Sequence, residues 1–172
     1  MTDPMGLFVR VIHIFCGVFW AGAALMIAGF IEPVVKAMGP DGGKFMQRFM
    51  GERRFALYMM AAGWLVVLSG IAMFVQGSGG HMGSWFTTAY GHTIVTGGIA
   101  GMLGFVIGLS VNAPTAKRMA ALAREIQGAG GPPKPEQLAE MARLQHRLHT
   151  AALVVAILLT ISVLCMAAAR TL

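Results

Sequence analysis

The sequence predicts an all-α integral membrane protein, a four-helix bundle with both termini outside and a cytoplasmic helical hairpin between spans three and four. Three observations lead there. Only 12% of the 172 residues are charged and 56% are hydrophobic, whereas a soluble domain carries about a quarter charged residues. Four apolar runs, at about 7–31, 55–75, 87–113 and 150–169, each reach the roughly 20 residues that cross about 30 Å of hydrocarbon as a helix. Eleven of the thirteen cations lie in two of the three connections.

The first run follows Arg10 closely, and Ala21-Gly22-Ala23 resembles a signal-peptidase site. The run continues past that point without a polar break, so it reads as a retained span. The first connection carries Lys36, Lys44, Arg48, Arg53 and Arg54. Within it, Phe45, Met46, Phe49 and Met50 alternate with Lys44, Gln47 and Arg48, a spacing for a short helix lying on the inner membrane surface. The second connection, 76–86, has no Lys or Arg. Span three holds Gly97, Gly101, Gly104 and Gly108, two GxxxG pairs nearly on one face. Such a face lets a neighbouring helix approach closely, or leaves room for a flat cofactor.

The third connection carries Lys117, Arg118, Arg124, Lys134, Arg143 and Arg147. Pro114-Thr115 opens a polar helical stretch, 116–127. The segment 128–133, Gly and Pro throughout except for Ala129, breaks it, and Pro135-Glu136 starts a second helix that runs into span four. The two basic connections hold eleven cations against two, Arg10 and Arg170, near the termini. The positive-inside rule therefore puts the basic connections in the cytoplasm of a bacterial-type plasma membrane. The net charge of +6 belongs to these loops and to anionic headgroups, not to nucleic acid. The length suits a single transmembrane domain, 1–172.

Ionisable residues inside spans mark candidate sites. His13 and His92 lie on spans that run the same way, and at ~1.5 Å per residue both fall roughly 8–10 Å below the outer hydrocarbon boundary. Two imidazoles at one depth suit a metal between helices, with haem b the obvious candidate. His13, Gly17, Trp20 and Ala24 share a face that offers a ligand, a gap and an aromatic wall. On span three, His92, Thr96 and Leu103 are expected to share a side with several glycines, and Thr96 or a backbone carbonyl can fix the ring tautomer. Arg10 and Arg170, at the same end, suit haem propionates or plain anchoring at the interface. Copper is the alternative: Cys16, His13, Cys165 and Met166 lie in the outer half, and the second connection holds His81-Met82, soft ligands suited to Cu(I). His146 and His149 form an i, i+3 pair at the mouth of span four, and Glu32 flanks the inner boundary as a possible proton relay. No disulfide framework, CxxC, GxSxG, P-loop or HExxH pattern is present.

The span-one string from Arg10 through His13, Gly17 and Trp20 to Gly22, then Pro33, the 49–55 string Phe-Met-Gly-Glu-Arg-Arg-Phe, and Gly91-His92 carry a likeness over about the first 100 residues. The chain resembles small membrane proteins grouped around copper resistance protein D, the HemJ-type protoporphyrinogen oxidases and the DUF2269-like proteins. The resemblance implies that His13 and His92 match histidines associated with haem. HemJ-type proteins usually place a lysine two residues after the span-three histidine; here that residue is Ile94. The expectation is a membrane-embedded b-type haem protein with an electron-transfer or redox role near the outer face, and possible activity as a haem-dependent oxidoreductase. The alternatives are a copper-handling transport protein and a non-catalytic subunit of a larger membrane complex. The expected partners are the bilayer, a redox partner or larger complex, and further copies of the chain.

Overall fold

The computed structural model describes residues 3–52, 54–79 and 82–171. Arg53 and His81, two of the residues singled out above, lie outside them. The described residues form helices joined by short turns. Four helices are long and apolar enough to cross a membrane: α1 (Pro4–Ala37), α3 (Phe55–Ser78), α5 (Ala89–Gly128) and α6 (Pro135–Thr171). Two short helices, α2 (Pro40–Gln47) and α4 (Met82–Trp85), occupy the first and second connections.

Local chemistry sets the ends. Asp3 accepts hydrogen bonds from the Met5 and Gly6 N–H groups at 3.1 and 3.0 Å, capping α1 with Pro4 in its first turn. Gly79, at φ 52°, closes α3 in the left-handed conformation that glycine tolerates best. The Thr88 hydroxyl oxygen accepts from Gly91 N–H at 3.0 Å and starts α5. Gln137 accepts from Lys134 N–H at 3.0 Å and starts α6.

Helices α1 and α5 run further than their apolar segments. Each contains a π-helical turn, Ile27–Ile31 in α1 and Gly108–Asn112 in α5, and each turn ends two residues before a proline, Pro33 or Pro114. A proline has no N–H to donate and its ring crowds the carbonyl four residues back. The wider turn relieves that crowding, so the helix continues where a break would otherwise fall.

The main packing runs in chain order around the bundle: α1 on α3, α3 on α5, α5 on α6, and α6 back on α1. Glycine contacts fix the directions. A methyl carbon at Gly63 would sit 3.6 Å from Trp20, and one at Gly70 would sit 3.0 Å from His13, so α1 and α3 are antiparallel. Gly97 abuts Cys165 and Gly104 abuts Leu159, so α5 and α6 are antiparallel as well. Both termini therefore share one end of the bundle. The basic connections share the other, where α2 and the hairpin between α5 and α6 project.

The buried core is Cys16, Trp20, Ala21, Ala62, Phe105, Val155 and Leu159. Phe105 takes Trp64 and Trp20 edge-on, with ring centres at 4.8 and 6.1 Å. Most other large apolar residues, Phe15 and Leu164 among them, are exposed, which in this fold means that they face lipid.

The expected surface helix is present as α2 and a π turn, Arg48–Glu52. Phe45 stacks on Phe49 at 6.0 Å, and Phe49 meets Phe55 at 4.6 Å, tying the connection to the start of α3. Lys44 pairs with Asp41 at 2.9 Å, and its ammonium holds the Asp41 carboxyl below the usual carboxylate range. In the hairpin, Arg118 pairs with Glu140 at 2.9 Å, which raises the guanidinium further above its ordinary value. Gln137 donates to Glu125 at 3.2 Å, a second tie between the arms.

Candidate functional site

His13 lies half-buried on the core-facing side of α1, one turn from buried Cys16. Its Nδ1 lies 3.0 Å from the Val66 carbonyl oxygen and 3.1 Å from the Ser69 hydroxyl, both on α3. A carbonyl only accepts, so Nδ1 carries the hydrogen and donates. Ser69 donates back to Leu65 and to Val66 within its own helix, so its hydroxyl hydrogen is committed there. The neutral tautomer is thereby set: Nε2 keeps a bare lone pair. This is how metal-bound histidines are held, the second ring nitrogen fixed by a carbonyl or carboxylate. Gly70 makes the contact possible, since a side chain there would press on the imidazole.

The rest of the expected cradle is arranged differently. Gly17 faces α3, with Val66 3.9 Å from where a methyl carbon would be, so the space there admits a methyl group. Trp20 is not a free aromatic wall. It is wedged into the core against Phe105 and Gly63, 7% exposed. His92 is exposed. At about 100° per residue it lies about 140° around the helix from Gly97 and about 180° from Gly101. Those glycines face α6, so His92 points away from the helix they pack against. Thr96 donates to the His92 carbonyl at 2.8 Å, bonding to backbone and not to the ring. Arg10 and Arg170 are exposed at the same end of the bundle. The structure thus fixes His13 against α3 and does not bring His92 to it.

Of the copper candidates, His81 lies outside the described residues. Cys165 and Met166 pack on Gly97. Among the described residues no three of His, Cys, Asp and Glu cluster as a metal would require. Three of the four glycines on the expected face of α5 serve helix packing: Gly97, Gly101 and Gly104 meet Cys165, Ser162 and Leu159 of α6, whereas nothing lies within 4 Å of a methyl carbon at Gly108, so the 104/108 pair does not form a contact face.

One polar contact escaped the sequence reading. Glu32 of α1 and His149 of α6 meet at the basic end, Oε1 to Nδ1, at 2.8 Å. Both residues drew notice singly, but no spacing rule links positions more than a hundred residues apart. Comparison with known protein families, with characterised proteins and with solved structures returned no match.

Proposed function

We propose that this chain is a membrane-embedded b-type haem protein with an electron-transfer or redox role, and that His13 is its axial ligand. The observation that supports the reading most directly is the His13 ring, anchored through Nδ1 to Val66 and Ser69, with Nε2 left as a Lewis base within a membrane span. Imidazole held this way is the usual protein ligand of haem iron, and the bound group would supply one-electron chemistry. His13, Val66, Ser69 and Gly70 hold and orient the ligand. Arg10 and Arg170 remain the candidates for the propionates, at the end where both reside. His92 joins as a second ligand only if α5 turns or another copy supplies it, because its side chain faces away from the α6-packing side. The basic end lies in the cytoplasm of a bacterial-type plasma membrane, which places His13 toward the outer face.

Visible spectra of the protein purified in detergent test this. The expected result is a Soret band, with an α band on reduction, that His13→Ala abolishes and His146→Ala keeps. His92→Ala then decides the coordination: an unchanged spectrum leaves His13 as the sole imidazole ligand, whereas a low- to high-spin change makes His92 the second. A colourless protein that binds copper would replace this reading with copper handling. A colourless, metal-free protein would leave a non-catalytic subunit of a larger complex.

A further inference from the structure

The basic end of the bundle holds a polar site that the haem reading does not use. Glu32 follows the π turn of α1 and reaches across to α6, where its Oε1 lies 2.8 Å from His149 Nδ1. The Glu32 side chain is 25% exposed and that of His149 is 45% exposed. The other carboxylate oxygen, Oε2, is buried with no hydrogen-bond partner. Asn112 Oδ1, in the π turn of α5, is also buried and also without a partner. The contacts of Gly97, Gly101 and Gly104 with Cys165, Ser162 and Leu159 set the register of α5 on α6. Continued inward, it brings Asn112 to the level of Ala151, half a turn from His149.

Two features mark this level of the bundle. The two unmet atoms are both acceptors, so what the site lacks is a hydrogen-bond donor. A buried carboxylate oxygen without one carries a desolvation cost that is larger for a charged group than for a neutral one. Two π turns end at this level, and each rotates the residues after it relative to a regular helix; one leads into Glu32 and the other contains Asn112.

We propose that Glu32 and His149 form a proton-binding relay that connects water at the basic end of the bundle with the buried carboxyl. The exposed imidazole takes a proton from water at Nε2 and gives the Nδ1 proton to Glu32 Oε1. One proton moves from water to the carboxyl, and the imidazole ends neutral with its tautomer reversed. The carboxyl is then neutral, its proton shared with His149 Nδ1, and its buried Oε2 no longer carries an uncompensated charge. The reverse steps return it. Groups around the pair fit a site that gains and loses protons but not one for a metal cation. Lys36 lies one turn on in α1. His146, Arg147 and Arg143 lie along the N-terminal part of α6. The α5 side presents uncharged Asn112, followed by Lys117 and by Arg118, which Glu140 holds. The relay does not depend on whether His13 binds haem.

Infrared difference spectra of the full chain in lipid nanodiscs, recorded across a series from neutral to acid pH, test the site. Three proteins are compared: wild type, Glu32→Gln and His149→Gln. Glutamine at 32 keeps an acceptor for His149 and offers N–H to its surroundings, so the fold is retained, as checked by gel filtration and helical circular dichroism. The expected result is a protonated-carboxyl C=O band that grows as pH falls in wild type and is missing in Glu32→Gln. No such band, or one unchanged in Glu32→Gln, overturns the proposal and leaves a buried water as the missing donor. His149→Gln keeps a donor to Glu32 but has no second ring nitrogen to load. Its carboxyl band should still form, and its shift on transfer to D2O should slow by about 100-fold or more, the low end of what a placed acid–base group contributes. An equal exchange rate in wild type and His149→Gln overturns the relay, and this arm stands even if Glu32→Gln fails to fold.

Discussion

His13 shows how one side chain depends on a neighbour that has none. The imidazole reaches the Val66 carbonyl because position 70 is glycine; a methyl carbon there would lie 3.0 Å from its Cε1. Gly70→Val is therefore expected to dislodge the ring and to lower haem content in the spectra while the bundle still assembles. Trp20 supports the core instead. It is 7% exposed, with Phe105 edge-on, so Trp20→Ala should cost about 3–5 kcal/mol, read as a fall in the denaturation midpoint in detergent. Asp41 gives a prediction in pH. Its carboxyl is held low by hydrogen bonding and charge from Lys44. A depressed carboxyl contributes stability above its unfolded value, and that contribution is lost as pH falls through the folded value. Carbon-13 detected titration should place Asp41 below a model-peptide aspartate, and Lys44→Gln should bring it back up. An unchanged midpoint in that variant would show that the ion pair does not form in solution.

At the scale of elements, the α5–α6 seam is the tightest contact between membrane-crossing helices. A methyl carbon at Gly97 would lie 2.8 Å from Cys165 Cβ and 3.2 Å from the Ser162 carbonyl, neither of which can swing aside. One at Gly101 would lie 3.1 Å from the Ser162 hydroxyl, and one at Gly98 would meet nothing within 4 Å. Gly97→Ala is expected to cost about 1–3 kcal/mol by overpacking, and Gly101→Leu to disrupt assembly. Gly98→Leu, on the same helix and facing out, should keep wild-type yield and melting temperature. Equal behaviour of Gly97→Ala and Gly98→Leu in a thermal melt would show that the seam is not packed as described. The π turns belong to this scale too. Pro33 and Pro114 were visible as letters, and Pro114 was read as the opening of a separate stretch. In the structure each proline is absorbed into a continuous helix by a wider turn just before it. That choice depends on neighbouring helices holding the segment in place, which a single segment does not reveal.

For the molecule as a whole, four antiparallel spans put both termini at one end and eleven cations toward the other. Single cysteines on a background with Cys16 and Cys165 replaced by alanine test the membrane side. An impermeant label should reach position 131, at the hairpin tip, only from the cytoplasm, and position 3 only from outside. Reversal of both would invert the topology and move His13 toward the inner face. The two histidines behaved differently under folding. His13 sits on the face of α1 that also buries Cys16 and Trp20, so its inward direction was legible from the i, i+3, i+7 pattern. The expected shared side of His92 and several span-three glycines does not form: Gly97 and Gly101 face α6, and His92 is exposed about 140–180° around the helix from them. Matching the two by depth alone ignored rotation about the helix axis, and rotation decides whether two side chains meet.

The sequence by itself determined the four spans, their charge asymmetry, the hairpin and the glycine seam, because each is local. A run of apolar residues must close its own hydrogen bonds in lipid, and a GxxxG face needs only its own spacing. Tertiary structure alone decided that His13 bonds to α3, that Trp20 fills the core rather than lining an opening, and that Glu32 meets His149. These are contacts between helices, set by how each helix is rotated and by where a proline widens its turn. No periodicity within one segment encodes the rotation of its neighbour.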